Sequence, residues 1–272
     1  MTDALALFWA GMPPPGLGVY ARGHVPPGPW RFVCVNAWRA DRAQLVDVAR
    51  ERGAEPWLYG GPSRWTGDAW RASADHLYRV AGELRVPRII ADPEGGAPAG
   101  GELAALGARL SELARDVRVG VTFVPSFPGL DELAATAGDA VWSAVQVYGR
   151  GALDAATFAA WYARSRARFG ARAILSVAGW AHRPELATLA GYQAYLAMLP
   201  RVSGAIVWTD APELPPHVLA ALTAWEPGGS GAGTASLAAL AFIARPAFAA
   251  LIGSLAVLFV FAILTIRAVT RA

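Results

Sequence analysis

The stretch Arg88-Ile-Ile-Ala-Asp-Pro-Glu-Gly-Gly96 joins an apolar run directly to two carboxylates, Asp92 and Glu94, and then to glycines. Side chains on a strand alternate with a period of two, so a strand that ends here directs both acids to the same face. The alternative is an ordinary exit from a strand, because Asp, Pro and Gly are common in turns. The stretch therefore predicts a buried strand whose carboxyl end carries a pair of acids.

Residues 17–225 repeat this arrangement, with short apolar runs alternating with longer amphipathic stretches rich in Ala and Arg. Continuous apolar strands separated by helices indicate a parallel sheet covered on both faces. Eight such strands predict an α/β fold, the (β/α)8 TIM-like barrel. A doubly wound open sheet is the alternative, but a Gly-rich phosphate loop follows none of the strands. The predicted strands are 18–21, 32–36, 56–60, 88–92, 120–124, 143–148, 173–177 and 205–208, and the predicted helices are 41–52, 67–84, 102–115, 130–137, 157–169, 185–199 and 216–225.

Residues 247–266 form twenty consecutive uncharged positions, flanked by Arg245 and Arg267. At about 1.5 Å per residue, a helix of this length crosses the ~30 Å hydrocarbon core of a bilayer. The sequence therefore predicts a barrel domain at 1–226, a Gly/Ser-rich linker at 227–236 and a C-terminal membrane anchor at 237–272, with a single transmembrane helix. The orientation stays open: Arg267 and Arg271 favour a cytoplasmic tail and an external barrel, whereas the N-terminus lacks the features of a secretory signal.

The charge and the metal-binding residue types exclude several classes of function. The net charge is only +3, and all 24 basic residues are arginines scattered along helical stretches, so no nucleic-acid partner is expected. Cys34, the single cysteine, excludes an internal disulfide framework and lies in an apolar run typical of a buried structural residue. The four histidines have no metal-ligand spacing, so neither a metal nor another cofactor is expected.

Aromatic and polar residues recur where the predicted strands end. In a parallel barrel these ends meet at one rim, where flat rings and polar groups together suit the faces and hydroxyls of a sugar. Packing is the alternative for any single ring, because the chain has eleven tryptophans. The candidate substrate-binding residues are Asn36, Trp38, Tyr59, Gln146, Tyr148, Trp180 and Trp208.

Three carboxylates are the candidate catalytic residues. Glu94 is the candidate general acid, and burial beside an ionised Asp92 is expected to raise the pKa of Glu94 towards neutrality. Asp92 either orients Glu94 or holds a substrate acetamido group that acts as internal nucleophile. Asp210, after strand eight, would position water or substrate, or would instead cap the turn that follows.

The order of these segments resembles the TIM-barrel glycoside hydrolases that include the family 25 lysozymes and, more loosely, the chitinase-like barrels. Those families carry an Asp-x-Glu at the end of strand four, with the Glu as proton donor, and residues 92–94 match it. The ends of strands six and eight, 146–148 and 208–210, resemble the aromatic-polar ends of the same group. Two departures stand out: residues 18–22 offer no acid at the end of strand one, and apolar residues 89–91 replace the further aspartates of the chitinase signature.

Two hypotheses follow. The first is a membrane-anchored glycoside hydrolase-like enzyme that cleaves glycosidic bonds in peptidoglycan or a related glycan. The second is a catalytically inactive barrel that binds glycan or has a structural role at a membrane. The acid pair at residues 92 and 94 favours the first, and the missing acid on strand one favours the second.

Overall fold

Eight parallel strands form a closed barrel in chain order, and the last strand pairs with the first. This computed structural model describes residues 16–21, 23–61, 69–93, 101–127, 129–148, 154–179, 183–209 and 213–225. The predicted eight-stranded barrel is confirmed. The strands are β1 Gly16–Ala21, β2 Phe32–Asn36, β3 Glu55–Gly60, β4 Arg88–Ala91, β5 Arg118–Phe123, β6 Val141–Gln146, β7 Ala173–Ala178 and β8 Gly204–Trp208.

The helices that the described residues contain cover the outside of the barrel. They are α1 Arg42–Glu51, α2 Ala69–Leu84, α3 Glu102–Leu113, α4 Leu130–Ala137, α5 Ala155–Phe169, α6 Leu189–Met198 and α7 Pro216–Ala224. No helix occurs in residues 23–31, which lead from β1 to β2. Most boundaries lie within two residues of the prediction.

One predicted helix, 185–199, is wrong at its start. A 3-10 turn occupies Pro184–Leu186, and α6 begins only at Leu189. Thr188 decides the boundary, because its hydroxyl accepts a hydrogen bond from the N–H of Gly191 at 3.1 Å and so caps the helix.

The strand alternation divides the apolar residues into two sets. Outward-facing residues such as Val33 and Leu58 pack under the helices, whereas inward-facing residues fill the barrel. Three rings, which we call the aromatic floor, occupy the half of the interior nearest the amino ends of the strands: Phe32, Trp57 and Trp142. The ring centroids of Trp57 lie 5.6 Å from Phe32 and 5.3 Å from Trp142. All three side chains are almost completely buried.

Two inward-facing glycines make room for this floor. A Cβ atom on Gly18 would lie 2.0 Å from the Phe32 ring, and one on Gly120 would lie 2.3 Å from the Trp142 ring. Because the rings contact one another, neither can move aside freely. The floor closes the amino end of the interior and leaves polar residues to line the opposite end.

We expect Gly18→Ala to lower the free energy of unfolding by about 1–3 kcal/mol, the usual cost of overfilling a packed interior. Gly82→Ala is the matched control: it lies in α2 with no atom within 4 Å of the new methyl group, and should stabilise the protein by about 0.5–1 kcal/mol. Urea titrations of both variants measure the difference. Equal effects from the two substitutions would contradict the steric role of Gly18.

The membrane prediction falls outside the part of the chain that the structure describes. Within the described ranges, none of the helices combines the length and the apolar character that crossing a bilayer requires. The predicted linker at 227–236 and the predicted span at 247–266 both lie beyond residue 225, the last described position.

Candidate active site at the carboxyl ends of the strands

Asp92 lies directly beyond the end of β4, where its N–H donates a hydrogen bond to the carbonyl of Gly60 at 3.0 Å. The neighbouring strand end approaches it closely, since a Cβ atom on Gly61 would lie 1.9 Å from the carbonyl oxygen of Asp92. Asp92 continues the inward-facing series of Ile90 and is 8% exposed. Among the described residues, Asp92 is the only buried carboxylate. The sequence predicts a buried strand with an acidic carboxyl end at this place.

Tyr20 on β1 is a site residue that sequence analysis missed. Burial raises the pKa of Tyr20 well above its usual value, and the nearby Cys34, Asp92 and Tyr148 raise the pKa further. The phenol therefore remains a proton donor at neutral pH. The signal that could have identified Tyr20 is the alternation of β1, which places it on the inward face of the strand.

Thr122 on β5 faces Tyr20 across the barrel and was missed as well. Its hydroxyl is close enough to lower the pKa of Tyr20 slightly, although neither hydroxyl makes a hydrogen bond of normal geometry. Both hydroxyls are buried. Buried polar groups without a well-formed hydrogen bond are uncommon in folded proteins and occur at functional sites.

Four aromatic rings cluster with these groups. The centroid of Tyr20 lies 4.7 Å from Tyr59 and 5.0 Å from Trp208, both in edge-to-face geometry. The Tyr148 ring lies nearly parallel to Trp208, with 6.5 Å between their centroids. Tyr59 is almost fully buried, whereas Tyr148 and Trp208 are partly exposed. The last two rings can therefore present a face to a ligand.

Helix α6 holds the strand ends that carry this cluster. Tyr195 donates a hydrogen bond to the carbonyl of Val147 at 3.2 Å and accepts one from the N–H of Ala178 at 3.1 Å. Tyr192 donates to the carbonyl of Ala178. These bonds tie β6 and β7 together just before the pocket. Gln146, the last residue of β6, is buried in the wall of the barrel.

Trp38 lies apart from the four-ring cluster. Its indole is 43% exposed and packs against Gly60, where a Cβ atom would lie 2.3 Å from the ring. The His76 ring supports the indole, with 4.5 Å between centroids. Asn36 supports the turn, since its Oδ1 accepts a hydrogen bond from the N–H of Trp38 at 2.9 Å. Trp38 therefore offers an exposed aromatic surface at the rim, above β2 and β3.

The remaining predicted site residues, Glu94, Trp180 and Asp210, lie outside the described residues. Glu94 follows Asp92 with only Pro93 between them. Within the described ranges, no group of three or more His, Cys, Asp or Glu side chains comes together in a way that could hold a metal ion. Cys34 is fully buried in the barrel interior, and burial raises the pKa of its thiol well above the usual value.

No protein-family model matches the sequence, and no curated protein matches it. Solved structures do share the fold. A chitinase of glycoside hydrolase family 18 from Pseudoalteromonas aurantia superposes with a TM-score of 0.58 at 14% identity, over 78% of this chain and 100% of the other. A putative chitinase A from Streptomyces coelicolor has a TM-score of 0.56 at 12% identity, over 80% and 98%.

A fungal endo-β-N-acetylglucosaminidase of the same glycoside hydrolase family has a TM-score of 0.54 at 15% identity, over 77% of this chain and 96% of the other. At these identities the likeness concerns the fold. The fold and the site define a (β/α)8 barrel with a buried carboxylate and aromatic rings at the carboxyl ends of its strands, and the solved chitinases share the barrel fold.

Proposed function

We propose that this barrel is a glycoside hydrolase that cleaves O-glycosyl bonds, with Glu94 as general acid. The observation that carries the proposal is the buried carboxylate of Asp92, which lies close to Tyr20 of the four-ring cluster and is followed two residues later by Glu94. The chitinases and the endo-β-N-acetylglucosaminidase that share the fold support a glycan as substrate.

The proposed chemistry divides the work between two acids. Glu94 protonates the oxygen of the leaving sugar as the glycosidic bond breaks, which requires the acid to be protonated beforehand. An ionised Asp92, two residues before Glu94 in the chain, keeps that proton on Glu94 by charge repulsion. The partly exposed faces of Tyr148 and Trp208 bind the sugar ring, and the Tyr20 phenol donates a hydrogen bond within the pocket.

The nucleophile remains to be chosen between water and the substrate's own acetamido oxygen. An ionised Asp92 suits the second choice, because a carboxylate can accept a hydrogen bond from the acetamido N–H and stabilise the positive charge that develops there. In that case the acetamido oxygen bonds to the anomeric carbon and closes a ring as the bond to the protonated leaving oxygen breaks. Water then attacks the same carbon, returns a proton to Glu94 and reopens the ring to the acetamido group, so that one water is consumed for each bond cleaved. Asp210 would position substrate or water.

For the substrate, we propose peptidoglycan or a related N-acetylated cell-surface glycan. The predicted anchor at 247–266 would hold the enzyme beside a membrane, where such a glycan is within reach. Protease protection on sealed membrane vesicles tests this part alone: a barrel that is protected on the cytoplasmic side would contradict a cell-wall substrate and leave glycosidase activity open.

Asp92→Asn tests the role of the buried carboxylate. We expect kcat on N-acetylated oligosaccharides to fall about 10²-fold or more, because a neutral amide neither repels the proton of Glu94 nor stabilises developing positive charge. Asp47→Asn, an exposed substitution on α1, is the control and should leave kcat unchanged. Wild-type cleavage of de-N-acetylated substrates at an equal rate would contradict the acetamido mechanism.

A catalytically inactive, glycan-binding barrel is the second candidate. The observation that favours it is the lack of further inward-facing acids among the described residues near Asp92. On β1 the inward-facing residue is Tyr20, and on β4 the inward-facing residue before Asp92 is Ile90. Calorimetry with N-acetylated oligosaccharides distinguishes the two: binding without any product over extended incubation would favour this candidate.

A further inference from the structure

The face of the barrel opposite the candidate site is rich in arginine. The amino ends of parallel strands and the carboxyl ends of the helices meet at this end of the barrel. Five arginines there, four exposed and one partly buried, are among those that form no ion pair with a described residue. We call them the basic face: Arg31, Arg85, Arg115, Arg118 and Arg201.

Two acids at this end of the barrel, Glu51 and Asp116, offset part of the charge of the basic face, and Asp116 also accepts a hydrogen bond from Tyr78. Glu55 pairs with a further arginine, Arg88, and Asp139 pairs with Arg172 at 2.8 Å. These acids are therefore already compensated by cations outside the set of five. The basic face retains a positive charge at the end of the barrel farthest from Asp92.

Arg85 is held at a backbone position that normally belongs to glycine. It follows α2 with φ of 52°, and it is the only non-glycine residue in the described ranges with a positive φ. Glycine is common at this position because L side chains disfavour the left-handed conformation. A charged side chain kept where it strains the backbone points to a use of that charge other than folding.

The described chain also ends at this face. Because α7 follows β8, it runs back towards the amino ends of the strands, and Trp225 after it packs against the barrel. The sequence beyond Trp225 includes the uncharged residues 247–266. The chain therefore continues towards the predicted membrane span from the end of the barrel that carries the basic face.

We propose that the basic face docks on an anionic phospholipid surface, with the candidate site turned away from the membrane. Guanidinium groups bind phosphate oxygens through two hydrogen bonds, and clustered arginines are attracted to negatively charged lipid headgroups. This docking does not depend on glycosidase activity.

The placement of the exposed hydrophobic side chains favours a lipid surface over single-stranded nucleic acid as the partner of the basic face. Base stacking needs exposed aromatic side chains. The exposed large hydrophobic residues in the described ranges, Trp38, Val124 and Leu189, all lie at the carboxyl end of the barrel, away from the basic face.

The test measures the distance between each end of the barrel and the lipid in the full chain. Cys34 is buried, so a dye can be attached selectively to Ser203→Cys beside the basic face or to Ala187→Cys near the candidate site. Energy transfer to labelled headgroups is recorded on vesicles of phosphatidylcholine with and without phosphatidylglycerol. We expect strong transfer only from position 203, only with the anionic lipid, and a loss of transfer by roughly 0.5 M salt.

A charge-matched pair of variants completes the test. Arg115→Gln with Arg201→Gln should lower the ratio of docked to undocked protein roughly 30-fold, whereas Arg42→Gln with Arg71→Gln, which removes the same charge away from the basic face, should change it less than about twofold. Arg85→Gly should weaken docking while raising the melting temperature. Equal transfer from positions 203 and 187, insensitivity to anionic lipid, or stronger binding to a DNA duplex than to the vesicles at the same salt would overturn the proposal.

Discussion

Replacing Glu94 by Gln is expected to lower kcat for glycan cleavage by a factor of about 10²–10⁴, the usual contribution of a general acid. The amide has nearly the same shape but cannot release a proton to the leaving oxygen. KM should change little, because the proposed contacts to the sugar are the aromatic faces of Tyr148 and Trp208. Initial rates on N-acetylated oligosaccharides with a natural leaving group measure the effect.

Two comparisons make this result specific. Glu213→Gln, an exposed position after β8, should retain wild-type kcat. Substrates with an activated leaving group such as a nitrophenol need little protonation, so they should be cleaved by Glu94→Gln far better than natural ones. Unchanged turnover of natural substrates by the variant would remove Glu94 from the mechanism.

Replacing Trp57 by Ala is expected to lower the free energy of unfolding by about 3–5 kcal/mol, the range for truncating a large buried aromatic residue. Trp57 is fully buried and contacts Phe32 and Trp142. The Arg88 guanidinium lies over its ring, 4.9 Å from the centroid, in a cation–π contact. For a domain of this size, the melting temperature should fall by roughly 10 °C. Thermal and urea unfolding measure both quantities.

Trp38→Ala is the matched control for Trp57→Ala, because we expect it to weaken glycan binding while changing stability little. Trp38 is 43% exposed, so its truncation should change stability by no more than about 1 kcal/mol. It should weaken glycan binding by about three- to tenfold, which corresponds to the loss of one aromatic contact. A large loss of stability without any change in binding would place Trp38 in the packing of the barrel instead of at its rim.

These tryptophans illustrate what could be predicted from the sequence and what could not. The end of β2 and the interior of β3 both show an aromatic residue next to apolar ones, and local pattern alone separates them poorly. The strand-end positions of Trp38 and Trp208 predict binding residues, and these rings lie at the rim and in the pocket wall, whereas Trp57 within β3 lies in the aromatic floor. Whether a tryptophan lies in the aromatic floor or at the carboxyl end of the barrel depends on its position along the strand, and not on its residue type.

The role of β1 shows the limit of this reasoning. Residues 18–22 include no acid, yet Tyr20 on this strand lies close enough to Asp92 and Thr122 for both to affect the pKa of its phenol. Gly18 likewise gave no signal, although Phe32 fills the space beside it. Both roles depend on side chains contributed by other strands.

The sequence by itself determined the eight apolar strands, the helices between them, the parallel barrel that these imply and the acid at the carboxyl end of β4. Each of these depends on local periodicity, because strand alternation and helix amphipathicity are set within a few residues. Only the tertiary structure decided which rings meet around Asp92, that Tyr20 and Thr122 face each other across the barrel, and that unpaired arginines share the opposite face. Those contacts join residues far apart in the chain, and they exist only once β8 has closed against β1.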